Sequence, residues 1–274
     1  MKIDIKEWVK NRKEEIAAEV SILDRKPRLL ILQMGDNPAS NSYIKGKIGD
    51  AGECGIAADL FKANTFDNMA EFVLRVAHTY DGVILQEPSG LTEKQRDYIL
   101  KHIGPDRDVD GFIDSSEFEP CTPKGIMEII NTFYPNVDCH GEVAVVVGRG
   151  SLVGAPLVPM LIKKGFTTIS CNSKTQNLAD IVKMADVVVS AVGKPNLITR
   201  DMIKDGAFVI DAGICFDDNG KLCGDCDKKM YDDTQIAITP VPGGVGLTTR
   251  LALMENTIEA SRFFQEVEAE ECPF

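Results

Sequence analysis

Histidine is scarce. Only His78, His102 and His140 occur in the 274 residues, and they show no ligand spacing. This argues against a histidine-built metal site and against a catalytic triad. Long apolar runs are also missing. No stretch is long enough to span a bilayer. The N-terminus, Met1-Lys2-Ile3-Asp4-Ile5-Lys6, lacks a signal-peptide core, so a cytoplasmic protein is expected. Basic residues are outnumbered, 30 Lys and Arg against 42 Asp and Glu, for a net charge of -12. That balance argues against a nucleic-acid or membrane partner, while leaving room for a local basic pocket that takes an anionic cofactor. The eight cysteines are scattered and read as reduced thiols. One pair, Cys223-Gly-Asp-Cys226, is a CxxC. It has no second pair or nearby His to complete a zinc site, and no βαβ start before it as a thioredoxin-type motif needs.

Strand-like and helix-like segments alternate along the chain. Apolar runs at 28–33, 81–85, 143–148, 167–171, 186–191, 207–211 and 236–239 are mostly continuous in Val, Ile and Leu, the mark of parallel strands buried on both faces. Ile5, Trp8, Val9, Ile16 and Val20 mark an amphipathic helix from about 5 to 22. The expected class is α/β with right-handed crossovers. Pro120-Cys121-Thr122-Pro123 reads as a domain boundary that opens a helix, with Thr122 as cap and Pro123 at its first position. A last helix is expected over about 249–267, positioned to pack back on the first domain.

Three motifs carry chemistry. Val143 to Val147 runs into Gly148-Arg-Gly150-Ser-Leu-Val-Gly154, a strand entering a glycine loop and then a helix. Such a loop lets backbone approach phosphate, and the helix N-terminus adds free N–H groups. The strand 167–171 should end near an adenosine ribose, where NAD sites commonly place an acid. Here Asn172-Ser173-Lys174-Thr175 follows, and with Arg149 it suits a 2′-phosphate, so NADP is favoured and NAD remains possible. Thr239-Pro-Val-Pro-Gly243-Gly244-Val245-Gly246 is a third glycine cluster, readable as a ligand loop or as a rigid turn. Finally, Ser40, Tyr43 and Lys47 form S-x-x-Y-x-x-x-K after the run Leu29 to Leu32, with Ser40 or Asn41 as N-cap. Tyr43 and Lys47 share one helix face. That pair suits a flat ring substrate with proton transfer, or an ordinary surface helix.

Together with Gly82-Val-Ile-Leu-Gln86, Asp108-Val-Asp110-Gly111-Phe112, Pro120 to Pro123, Ser173-Lys-Thr175 and Asp211-x-Gly213, these motifs run nearly the whole length. In that order they resemble the bifunctional methylenetetrahydrofolate dehydrogenase/cyclohydrolase family. The resemblance implies two α/β domains flanking a cleft. Residues 1–118 and 250–274 would form a folate-binding catalytic domain, and 119–249 a Rossmann-like NADP-binding domain. It implies oxidation of 5,10-methylene-tetrahydrofolate by hydride transfer to NADP, then hydrolysis to 10-formyl-tetrahydrofolate, in a homodimer. Tyr43 would stack on the folate, Lys47 handle protons, Gln86 bond and tune Lys47, and Asp110 anchor the pterin. Gly243, Gly244 and Val245 would line the substrate. Gly148, Arg149, Gly150, Ser151, Val153, Ser173, Lys174, Thr175, Gly193 and Ile214 would hold the cofactor, with no metal.

The pattern is broken in places. Where the family usually has Leu-Pro-Leu-Pro after the glutamine, this chain has Glu87-Pro88-Ser89-Gly90. Gly150 replaces a serine, Asn172 a histidine, and Leu247-Thr248 a Pro-Met pair. Gly46 and Gly49 lie inside the expected catalytic helix, each costing about 1 kcal/mol against Ala. Rival readings are a dehydrogenase-only or NAD-using relative, a Rossmann dehydrogenase for an amino or shikimate-like acid, and a non-catalytic folate- or nucleotide-binding protein.

Overall fold

The computed structural model describes residues 1–135 and 138–271. In chain order the first elements are α1 (Lys6–Ser21), β1 (Arg28–Met34), α2 (Pro38–Glu53), β2 (Ala57–Ala63), α3 (Phe66–Val76), β3 (Gly82–Leu85) and α4 (Glu93–Ile103). They are followed by α5 (Cys121–Phe133), β4 (Val143–Val147), α6 (Gly154–Lys164), β5 (Thr167–Cys171), α7 (Leu178–Lys183), β6 (Val187–Ser190) and β7 (Phe208–Asp211). A short hairpin of β8 (Cys215–Phe216) and β9 (Leu222–Cys223), then β10 (Ala237–Ile238) and α8 (Val245–Glu271), complete the chain.

The chain divides into two compact units. One comprises Lys10–Cys121 and the chain from Arg250 on. Its parallel sheet has the order β2-β1-β3. Leu30, Leu32, Val83 and Leu85 point from one face of that sheet into a cluster with Met69, Val73, Ile99 and Leu100. The other face takes α2, as period-two alternation requires. The α8 segment is tied in by Asn256, whose Nδ2 donates to Val109 O at 2.9 Å and Glu119 O at 3.0 Å.

The other unit comprises Met1–Val9 and Thr122–Thr249. Its five parallel strands have the order β10-β7-β6-β4-β5. Val145, Val147, Val188, Val209 and Ile238 anchor its core. Residues 1–9, expected with the folate-binding half, are drawn here by backbone pairing. Ile3 N donates to Ile238 O at 2.9 Å, and Ile238 N to Met1 O at 3.0 Å.

Several local expectations change. The structure starts α2 two residues before Ser40. Pro38 takes its first position and Asn37 Oδ1 accepts Ser40 N at 3.3 Å, so Asn37 is the cap. Helix α5 begins at Cys121, which places Thr122 and Pro123 inside its first turn. Helix α8 begins at Val245, four residues earlier than read. Strand β2 is not legible in the sequence because most of its residues are open to solvent. Its sequence, AADLFKA, is largely exposed and carries no continuous apolar run.

Candidate active site

The S-x-x-Y-x-x-x-K residues sit on the sheet-facing side of α2. Lys47 is only 4% exposed. Its Nζ lies 3.6 Å from Asp110 Oδ2 and 5.7 Å from the centre of the Tyr43 ring. The carboxylate contact is an ion pair, longer than a hydrogen bond. Asp110 is itself buried, in a turn built by its neighbour Asp108. Asp108 Oδ2 accepts Ile113 N at 2.7 Å, and Gly111 adopts φ +72 with Pro120 backbone 2.6 Å from where its Cβ would be. Burial pushes the Asp108 carboxyl up to about 6, against the Ile113 N–H and aided by the charge of Asp110.

Gln86 follows β3 and is 7% exposed. Its Nε2 donates to Glu87 O at 2.7 Å, and its Oε1 has no partner. The bond from Gln86 to Lys47 implied by the resemblance is thus not made; Lys47 pairs with Asp110. The departing loop is a polar clamp. Glu87 Oε1 meets Arg96 Nε at 3.0 Å, Glu87 Oε2 accepts Ser89 N at 2.6 Å, and Arg96 lies 5.5 Å over the Phe112 ring.

Gly46 also acquires a reason. A Cβ there would fall 1.9 Å from Arg250 Nη1. Arg250 Nε pairs with Asp50 Oδ2 at 2.7 Å, and Lys13 pairs with the other oxygen of Asp50. Gly49 has open space around it, so no contact demands a glycine at that position.

The second unit shapes a phosphate cradle. Gly148 has φ +116, and a Cβ on it would lie 2.3 Å from Ala191 O. A Cβ at Gly154 would lie 1.9 Å from Gly148 O, so α6 packs directly on the loop. Gly150 faces open space, and no side chain caps α6 at Val153. Ser151 is exposed beside it. In the first turn of α6 Ala155 N donates to Gly150 O at 3.0 Å and Pro156 has no N–H, so the uncrowded backbone at Gly150 is what the loop offers a pyrophosphate. Arg149 Nε donates to Ser170 Oγ at 3.0 Å, which holds its guanidinium at the end of β5. The turn after β5 is self-braced. Asn172 N donates to Thr175 Oγ1 and Lys174 N to Asn172 Oδ1, both at 2.9 Å, leaving Ser173 and Lys174 exposed. Gly193 sits beside Ile214, whose carbonyl lies 3.3 Å from the Cβ position of Gly193. In the third glycine cluster, a Cβ on Gly244 would lie 2.4 Å from Pro240 O, and Gly243 has φ +99. Val245 is 4% exposed and opens α8.

The CxxC contributes its middle residues. Asp225 is fully buried and accepts Ser190 Oγ at 2.7 Å, Val192 N at 2.8 Å and Lys194 N at 2.7 Å. Asp211 accepts the N–H groups of Gly213, Asp225 and Cys226. Burial raises its carboxyl pKa despite those bonds. These aspartates tie together the loops that carry Gly193 and Ile214. Among the described residues, no cluster of His, Cys, Asp and Glu could hold a metal ion.

The sequence model of the tetrahydrofolate dehydrogenase/cyclohydrolase catalytic domain matches residues 3–110, and that of the family's NAD(P)-binding domain matches residues 120–265. The chain belongs to this family. The bifunctional protein FolD of Bacillus subtilis (strain 168) is 38% identical over 283 residues, covering 95% of this chain and 97% of its own. The bifunctional dehydrogenase/cyclohydrolase of Campylobacter jejuni superposes with a TM-score of 0.86 at 32% identity, over 94% of this chain and 97% of that one. The Trypanosoma brucei dehydrogenase-cyclohydrolase, solved with NADP and an inhibitor, gives 0.88 at 29% identity, over 97% and 98%. As a family member the protein is an oxidoreductase and a hydrolase of tetrahydrofolate one-carbon metabolism.

Gln33, Arg96, Asp225 and Arg250 were not singled out from the sequence. For Gln33 a signal existed. It is a polar residue near the C-terminal end of β1, where open α/β sheets place ligands.

Proposed function

We propose that Tyr43, Lys47, Gln86 and Asp110 carry the folate chemistry of an NADP-dependent methylenetetrahydrofolate dehydrogenase and methenyltetrahydrofolate cyclohydrolase. The observation that supports these roles best is the buried Lys47 ammonium, 3.6 Å from Asp110 and beside Tyr43. Asp110 accepts the pterin's parallel N–H groups, as a carboxylate does well. Its engagement by the pterin frees Lys47 from its counter-ion. Tyr43 offers a flat face to the folate, aligning the one-carbon bridge for transfer. NADP, when bound, supplies the hydride acceptor. Gly148, Gly150, Ser151 and Val153 would seat its pyrophosphate. Arg149, Ser173, Lys174 and Thr175 would take the 2′-phosphate, while Gly193 and Ile214 border its path. Gly243, Gly244 and Val245 would contact the substrate.

Hydrolysis then falls to Lys47. In this step Lys47 acts as a neutral amine, the form that can accept a proton from water. Lys47 Nζ takes a proton from water as its oxygen bonds to the methenyl carbon and the C=N π pair moves to nitrogen. The carbinol then collapses. Its C–N5 bond breaks, its O–H proton leaves to solvent as the formyl C=O forms, and Lys47 returns its proton to N5. We further propose a cytoplasmic homodimer, joined through the dinucleotide unit; sedimentation as a monomer would remove the dimer.

Following 10-formyl-tetrahydrofolate formation in the parent and in Lys47→Met tests the central role. Hydrolysis should fall roughly 10²–10⁴-fold, the usual worth of a general base. An unchanged rate would take Lys47 out of the mechanism. A clear rate advantage with NAD over NADP would overturn the assignment of Arg149, Ser173 and Lys174.

A further inference from the structure

Gln33 ends the apolar run of β1, and Gln86 directly follows β3. The parallel ladder pairs Leu32 with Leu85, and Gln86 N extends it by donating to Leu32 O at 2.8 Å. Gln33 and Gln86 therefore occupy one rung. Rung partners stand on the same face, about 4.8 Å apart. Leu32 and Leu85 point into the cluster behind the sheet, so both glutamines face α2. Gln33 Nε2 meets that helix directly, donating to Asn41 Oδ1 at 2.8 Å. Asn41 is held in turn by Asp36 and Lys62, through contacts of 2.8 and 3.2 Å.

Both amides are thus locked the same way round. Each has committed its donor to the protein, at Asn41 for Gln33 and at the Glu87 carbonyl for Gln86. Each keeps an Oε1 with no partner, at 1% and 7% residue exposure. Two unsatisfied acceptors at adjacent strand ends, under the helix that carries Lys47, call for a donor-rich group. An ammonium has three N–H donors and fits two amide oxygens with one donor to spare.

We propose that Gln33 is a positioning residue for hydrolysis, its Oε1 joining that of Gln86 to receive the Lys47 ammonium as it forms. The inference rests on the reading of Lys47 as the base. It explains why the resting Lys47 sits on Asp110 and on neither amide. The pterin takes Asp110, and the amine then swings to the glutamine pair. The third N–H is left to return the proton to the substrate. Preplaced dipoles aimed at a developing charge lower the barrier without reorganising. The other charged groups around Lys47 are Asp110 and Asp108, Asp50 one turn on in α2 with Lys13 and Arg250, and Glu87 with Arg96.

Gln33→Met keeps the side chain's size and removes the acceptor. Hydrolysis kcat should fall about tenfold or more, with the methenyl substrate's KM and the dehydrogenase rate within about twofold. The rising limb of hydrolysis against pH should move to lower pH, because the ammonium has lost an acceptor. Equal loss of both activities, or an unmoved limb, overturns the proposal. Should Gln33→Met fail to fold, Gln33→Glu decides. It keeps the acceptor and adds charge, so the limb should move to higher pH; an unmoved or acid-shifted limb overturns the inference. Lys47→Met separates the two levels. If it keeps hydrolysis, the base assignment fails. If it loses hydrolysis while Gln33→Met leaves rate and limb unchanged, only the Gln33 inference fails.

Discussion

Both units bury polar side chains at strand ends or in the elements that follow them, and these differ in one respect. Asp211 and Asp225 each accept three donors from the surrounding loops. Gln33, Ser40 and Gln86 each keep a buried oxygen without a partner. The first pair is scaffold: its hydrogen bonds are all spent on holding loops. The second set has unspent capacity, which is what a site needs to exchange partners during turnover. On this measure Asp211 and Asp225 are braces, while Gln33, Ser40 and Gln86 keep the open acceptors that the proposed site would use.

That contrast can be broken, beginning with the largest effects. Lys47→Met should abolish most hydrolysis while leaving the folded state nearly intact. Asp225→Ala should do the reverse. It strands Ser190 Oγ and two backbone N–H groups, so unfolding free energy should drop by about 3–5 kcal/mol, read as a denaturant midpoint. A drop below about 1 kcal/mol would end its description as a brace.

Asp108 is intermediate, bonded yet pushed up to about 6 from an ordinary 3.8. A raised carboxyl favours the folded state fully below about pH 3.8, and that contribution is lost as pH rises through about 6. Asp108→Asn should therefore be more stable than the parent near pH 7, by at most about 3 kcal/mol, and equal to it below about pH 4. A parallel offset at every pH would refute this account. The smallest effect concerns Gly46. Alanine gains about 1 kcal/mol of helix propensity but collides with Arg250 Nη1. Gly46→Ala should be neutral to destabilising alone and stabilising by up to about 1 kcal/mol beside Arg250→Ala. The same sign in both backgrounds would detach Gly46 from Arg250.

Much of the molecule was legible in advance where the signal was local. The strands at 143–147 and 187–190 declared themselves as Val-rich apolar runs because both faces are buried. The glycines at 148 and 154 declared a turn and a helix start. Strand β2 did not, since its largely exposed residues carry no apolar run. Nor did the true start of α2, because Asn37, Ser40 and Asn41 are all plausible caps and only the backbone path chooses among them. In the CxxC the spacing marks the cysteines, whereas the buried Asp225 between them makes the bonds that hold the neighbouring loop.

The order of motifs along the chain was enough, by itself, to determine the α/β class, the family and the residue types available for chemistry, because each depends on short-range spacing. Partnership was decided only in three dimensions. That Lys47 rests on Asp110, that Gly46 makes room for Arg250, and that Gln33 shares a rung with Gln86 all join residues far apart in the chain. Such pairings depend on strand register and helix placement, which one-dimensional spacing does not encode.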